Sequence, residues 1–167
     1  AEPATAPNAI MNFQAAFAQV FEEENKAEAA PEVRVLCLHG ALLHKDILQL
    51  SLVALKKAAQ KQGLELNLIY ENGPRAMPMA EAQVFLDKPT RAMLAKQEFL
   101  YSWAVNDDSA AHGGREYPDM DDALAFVQSL LKKHAPVHGL LGMSQGGNLA
   151  QVVAAQSSNG IGAPLKF

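Results

Sequence analysis

The sequence predicts a three-layer α/β protein with a mainly parallel sheet, on the strength of three observations. Residues 34–38 form a largely apolar run that ends in His39-Gly40. A helical pattern over residues 47–62 leads into a second apolar run at 64–70. A third run, 137–141, passes through Gly142-Met143-Ser144-Gln145-Gly146 into another helical pattern at 148–155. Strands covered on both faces of a parallel sheet read as apolar runs of this kind, and successive parallel strands need a crossover helix between them.

Composition bounds the answer. At 167 residues, 49% of them apolar, the chain can bury a substantial core as one domain. Its formal charge of -4 offers no basic surface for nucleic acid. No apolar stretch approaches the roughly 18 residues that a membrane span requires.

Taken in order, residues 1–31 are an N-terminal extension and residues 32–167 the folded domain. The Pro- and Ala-rich start, residues 1–8, is expected to be extended or disordered. Phe13, Phe17, Val20 and Phe21 then fall at helical spacing within residues 11–27. Such a stripe either packs on the domain or docks a protein partner through Phe13, Phe17 and Phe21. The chain opens at Ala1 with no initiator Met and no signal-like segment. The compartment is left open, the expectation being a soluble protein, cytoplasmic or organellar after removal of a targeting segment. The single cysteine, Cys37, lies inside the first strand, which excludes a disulfide framework and favours a reducing compartment.

The helix over residues 47–62 carries Ile47, Leu48, Leu50, Leu52, Val53 and Leu55, with Lys56, Lys57 and Lys61 toward the negative end of its dipole. Gly63 stops it before the second strand. Asn72-Gly73-Pro74 then breaks the pattern and opens a long, weakly patterned connection to about Gly114, with a short helix expected near residues 90–96. Met77, Met79 and Met93 within it suit an adaptable apolar lid. Tyr101 and Trp103 are either core or pocket lining. Residues 119–134 are a well-marked helix, with Asp119, Asp121 and Asp122 in its first turn, Leu124, Val127, Leu130 and Leu131 as a stripe, and Lys132, Lys133 and His134 closing it. The helix dipole accounts for those acids, so no metal site is inferred, and no phosphate-binding loop or other cofactor motif is present.

The pentapeptide at 142–146 has the form G-x-S-x-G. Placed between a strand and a helix, it is the pattern of a nucleophile elbow, in which a strained turn exposes a serine hydroxyl and small neighbours let strand and helix approach. Ser144 is therefore the candidate catalytic nucleophile. In folds that use this turn, the residue after the serine and the loop after an earlier strand supply the backbone N–H groups of an oxyanion hole. Here those donors are Gln145 and Ala41, with Leu42 as the alternative to Ala41.

The strand ending in His39-Gly40, the phrase Glu71-Asn72-Gly73-Pro74-Arg75, the pair Tyr101 and Trp103, and residues 139–147 together resemble the FSH family of serine hydrolases, to which the ovarian-cancer-associated hydrolases are related. The resemblance runs from about Glu32 to Phe167. It implies an α/β-hydrolase fold and cleavage of a carboxylic ester or thioester, a small-molecule substrate, through an acyl-enzyme on Ser144, with no cofactor and with His39, Gly40, Leu42 and Trp103 as the expected substrate-pocket residues.

Two features depart from that family. The loop after His39-Gly40 reads Ala41-Leu42-Leu43-His44-Lys45-Asp46, where the family usually has an aromatic residue and a Gln-Ser/Asn-Gly cluster. No Asp, Glu or His follows Ser144, although the triad order in α/β-hydrolases is Ser, then Asp or Glu, then His. Residues 163–167 read as the start of a further strand. The expectation is thus an α/β-hydrolase domain truncated after the strand that follows the nucleophile helix, in a longer polypeptide that supplies the acid and base. The alternative is a catalytically inactive, hydrolase-like subunit that scaffolds a larger assembly through its N-terminal helix.

Overall fold

The computed structural model describes residues 32–105 and 117–167. The extension with Phe13, Phe17 and Phe21, and residues 106–116, lie outside the described residues.

Strand β1 (Val33–Leu38) is the middle of a three-stranded parallel sheet, between β2 (Leu66–Tyr70) and β5 (Gly139–Gly142). Its register sets Val33 opposite Leu66 on one side and Leu38 opposite Gly142 on the other. Alternation along β1 builds two cores. Leu36 and Leu38 point to one face, against Val127, Leu130 and Leu131 of α5 (Met120–Lys133) and Leu149 and Val153 of α6 (Gln145–Ser158). Val33, Val35 and Cys37 point to the other, against Leu48 of α1 (Lys45–Ser51) and Ala59 of α2 (Val53–Lys61). Helices therefore cover both faces of a parallel sheet, the three-layer arrangement that the apolar runs predict and that the α/β-hydrolase fold has. Burial pushes the Cys37 thiol up to about 12, so this cysteine packs as a hydrophobe.

The helix expected over residues 47–62 is two helices broken at Leu52. The Leu52 N–H is shared between the carbonyls of Leu48 and Gln49, and the Ser51 hydroxyl bonds back to the Ile47 carbonyl at 2.9 Å. A serine bonded back to the preceding turn bends a helix, and the apolar periodicity runs through the bend without registering it.

The weakly patterned connection is also more ordered than the sequence suggests. Its first part pairs β3 (Arg75–Pro78) antiparallel with β4 (Phe99–Ser102) as a separate two-stranded sheet. Between them lie α3 (Met79–Ala82), a 3-10 turn (Gln83–Phe85) and α4 (Lys88–Leu94). The side chain of Asp87 caps α4 by accepting from the Thr90 N–H at 2.8 Å, which sets its start two residues before the expected one. Leu43, Ile47, Ala82, Leu94 and Leu100 form a small core beneath this unit, with Met77 and Met79 packed against it, while Met93 is exposed.

Residues 163–167 carry no assigned strand. The N–H groups of Lys166 and Phe167 nevertheless donate to the His138 carbonyl beside β5, and the Phe167 ring fills the space above Gly139.

Candidate active site

The site is built where β5 meets α6. Ser144, between them, has φ 52° and ψ -122°, a combination that side-chain-bearing residues rarely adopt. Such strain, of order 1–3 kcal/mol, persists only where the surroundings enforce it. Two glycines do so. A Cβ on Gly142 would lie 2.3 Å from the Gly146 carbonyl oxygen, and one on Gly146 would lie 2.3 Å from the Leu38 oxygen and 2.5 Å from that of His39. Strand, turn and helix are packed backbone to backbone, so the chain can reverse within two residues only through the strained serine. Met143 N–H donates to Leu38 O at 3.0 Å and locks the turn to the end of β1. Ser144 itself is exposed, and its hydroxyl makes no capping bond to α6.

Facing it is the loop after β1. The Gly40 Cα is close enough that a Cβ there would sit 3.4 Å from Ser144 Cβ. The N–H of Leu42 donates to Ser102 Oγ at 3.0 Å, whereas the N–H of Ala41 has no hydrogen-bond partner among the described residues. Of these two amides, that of Ala41, the expected donor, is therefore the one without a partner among the described residues. Leu42 has φ 49° and is held by its bond to Ser102 and by the paired hydrogen bonds of Leu43 with Tyr101.

Three groups brace the loop from behind. His39 is fully buried: its Nδ1 lies 2.7 Å from the Gly40 carbonyl oxygen and its Nε2 accepts from the Gly73 N–H at 3.0 Å. This pairing fixes the Nδ1–H tautomer, and burial lowers the His39 pKa to about 4. Trp103, also fully buried, donates through Nε1 to the His39 carbonyl at 2.7 Å. The buried Gln145 side chain spans the end of β4, accepting from Trp103 N–H at 2.8 Å and donating to the Ala104 carbonyl at 2.9 Å.

The remaining described histidines have structural partners. His44 caps α1 and lies 3.1 Å from the Asn72 side chain; His138 Nδ1 accepts from Arg34 N–H. His134 meets Glu71 at 2.8 Å, beside Lys133 at 2.6 Å. Burial alone would raise the Glu71 carboxyl, but the hydrogen bonds from Lys133 and His134 outweigh it and hold the group below its usual range. No described histidine is bonded to the Ser144 hydroxyl. Asp119, at the head of α5, accepts from Val105 N–H at 2.8 Å and pairs with Arg75 at 2.7 Å. Among the described residues no three His, Cys, Asp or Glu side chains gather as metal ligands, and no helix is long and apolar enough to cross a membrane.

The structure thus brings Ser144, Gln145, Gly40, Ala41 and Leu42 together and sets His39 and Trp103 one layer behind, without exposed surface. Sequence reasoning missed Ser102, and noted Asn72 and Gly73 only as part of the phrase at residues 71–75, without a role at the site; the Asn72 side chain accepts from Lys45 N–H at 2.9 Å. Asn72 and Gly73 carried a signal, since Asn72-Gly73-Pro74 marks a break; a Cβ on Gly73 would lie 2.4 Å from the Ser102 carbonyl oxygen.

A family model described as serine hydrolase (FSH1) matches residues 29–167. The chain is 27% identical over 120 residues to the esterase FUS5 of Gibberella moniliformis (strain M3125 / FGSC 7600), covering 70% of this chain and 46% of that protein. It is 25% identical over 138 residues to an uncharacterized hydrolase of Schizosaccharomyces pombe (strain 972 / ATCC 24843), covering 77% of this chain and 29% of that protein. The chain thus matches less than half the length of either relative.

Proposed function

Since the chain belongs to the serine hydrolase (FSH1) family, we propose that it cleaves a carboxylic ester or thioester through an acyl-enzyme on Ser144, the turn between β5 and α6 being the nucleophile elbow. The observation that carries this reading is the exposed serine held at φ 52° and ψ -122° between a parallel strand and a helix. The esterase FUS5 is named for chemistry of this class, which supports it further.

In the proposed reaction, Ser144 Oγ attacks the acyl carbon while a general base takes its proton. The carbonyl oxygen becomes an oxyanion that accepts from the backbone N–H groups of Gln145 and Ala41. Collapse expels the alcohol or thiol, which takes the proton, and water then repeats the sequence to release the carboxylic acid. Two preorganised main-chain donors suit this step because they face charge that exists only in the transition state. The base and the carboxylate that orients it come from residues outside the described ones. Leu42 and Gly40 border the acyl pocket, and His39 and Trp103 hold its wall in place.

The proposal is tested with p-nitrophenyl esters and acyl thioesters. A pre-steady-state burst of leaving group, lost in Ser144→Ala, is the expected result. Full turnover by Ser144→Ala would contradict it. The competing reading, a hydrolase-like subunit without catalysis, draws support from the absence of a described histidine at Ser144. It predicts no burst in the wild type and intact assembly of Ser144→Ala with its partners.

A further inference from the structure

Ser102 is the last residue of β4, 60 positions from its partner, and belongs neither to the serine turn nor to the loop after β1. Its hydroxyl oxygen accepts the N–H of Leu42 at 3.0 Å. We infer that Ser102 is a positioning residue of the proposed hydrolytic site, selecting which amide of the Ala41–Leu42 segment faces the substrate. This rests on the hydrolase reading.

The geometry works as follows. Leu42 has φ 49°, a left-handed conformation that residues with a Cβ disfavour. Rotation of the peptide unit between Ala41 and Leu42 changes Ala41 ψ and Leu42 φ together. It would relieve that strain, carry the Leu42 N–H away from Ser102 and reverse the carbonyl of Ala41. The hydrogen bond to Ser102 Oγ opposes the rotation. With the Leu42 N–H consumed by Ser102, the one of these two amides that has no hydrogen-bond partner among the described residues is that of Ala41, next to Gly40, whose Cα lies against Ser144.

Ser102 is itself fixed on three sides. Tyr101 before it exchanges N–H and carbonyl bonds with Leu43 at 2.8 Å and 3.1 Å, and Trp103 after it is bonded to Gln145 at 2.8 Å. Gly73 presses on its carbonyl, where any Cβ would intrude. The hydroxyl therefore transmits the position of β4 to the loop, and the same strand end is held by the side chain of Gln145, whose own N–H is the other proposed donor. One strand end thereby sets both halves of the oxyanion hole in register.

The test uses the intact protein and the variants Ser102→Ala and Ser102→Thr. Loss of one neutral hydrogen bond to a strained loop should lower kcat for a p-nitrophenyl ester by about three- to tenfold. KM should change less than twofold, because the loop acts on the transition state. Ser102→Thr, which keeps the hydroxyl, should recover kcat to within about twofold of wild type. Amide hydrogen exchange read by NMR gives a second view that needs no turnover: the Leu42 N–H is protected in wild type and in Ser144→Ala, and exchanges at least about tenfold faster in Ser102→Ala. Unchanged exchange at Leu42 would overturn the clamp whatever the activity. Altered exchange with unchanged kcat, or a loss that Ser102→Thr fails to recover, would overturn its role in positioning. A wild type without turnover and without reaction at Ser144 would defeat the hydrolase reading, and this inference with it.

Discussion

Gly146 and Gly147 are adjacent in sequence yet face different surroundings. A methyl group on Gly146 would meet the carbonyls of Leu38 and His39, which cannot yield without moving β1, whereas on Gly147 the nearest atom, the Gly142 oxygen, is 3.3 Å away. Gly146→Ala is expected to cost at least about 2 kcal/mol by urea denaturation, and Gly147→Ala less than about 1 kcal/mol. His39 makes a separate prediction. Its folded pKa, about 4, lies below the usual 6.5, so between those values the unfolded chain binds a proton that the folded one does not. Stability then falls as pH falls through that window, by up to about 1.4 kcal/mol per pH unit. In His39→Asn the contribution of this group to the slope disappears. Equal slopes for both proteins in denaturation between pH 6.5 and 4.5 would show that His39 is not held neutral.

Helix α6 and strand β4 are joined by one side chain. Gln145→Ala would leave the N–H of Trp103 and the carbonyl of Ala104, both buried, without that partner. The expected cost is about 2 to 4 kcal/mol, from a penalty of about 1–3 kcal/mol for each buried group left unsatisfied. A loss below about 0.5 kcal/mol by chemical denaturation would contradict it. The strands of the parallel sheet were legible from sequence because apolar runs of this kind are what burial on both faces demands. The serine turn was legible because its glycines answer a steric need that no other residue meets. The pairing of β3 with β4 was not: each has four residues, and Arg75 and Ala76 are exposed, so neither carries a periodic signal. Ser102 was hidden for another reason, since its role is set by a partner 60 positions away. His39 and Trp103, expected at the pocket, are fully buried and bonded to the loop after β1, His39 to the Gly40 carbonyl and Trp103 to that of His39, because buried backbone groups need such partners.

In the molecule as a whole, both proposed functional loops gather at one end of the parallel sheet, the end where β1 and β5 finish, and the β3–β4 unit is laid against that end as a brace. This follows the general habit of open α/β sheets, which bind ligands beyond the carboxyl ends of their strands. Each described histidine has a partner elsewhere in the scaffold and none is bonded to Ser144, and the proposed reading draws its base from residues outside the described ones. The serine, the two amides and their supports are assembled without it. The most direct measurement is reaction of the intact protein with a fluorophosphonate, followed by peptide mapping by mass spectrometry. One adduct, on Ser144, absent from Ser144→Ala, is the result expected of a strained, solvent-facing nucleophile. An adduct that persists in Ser144→Ala, or none on the wild type, would contradict it.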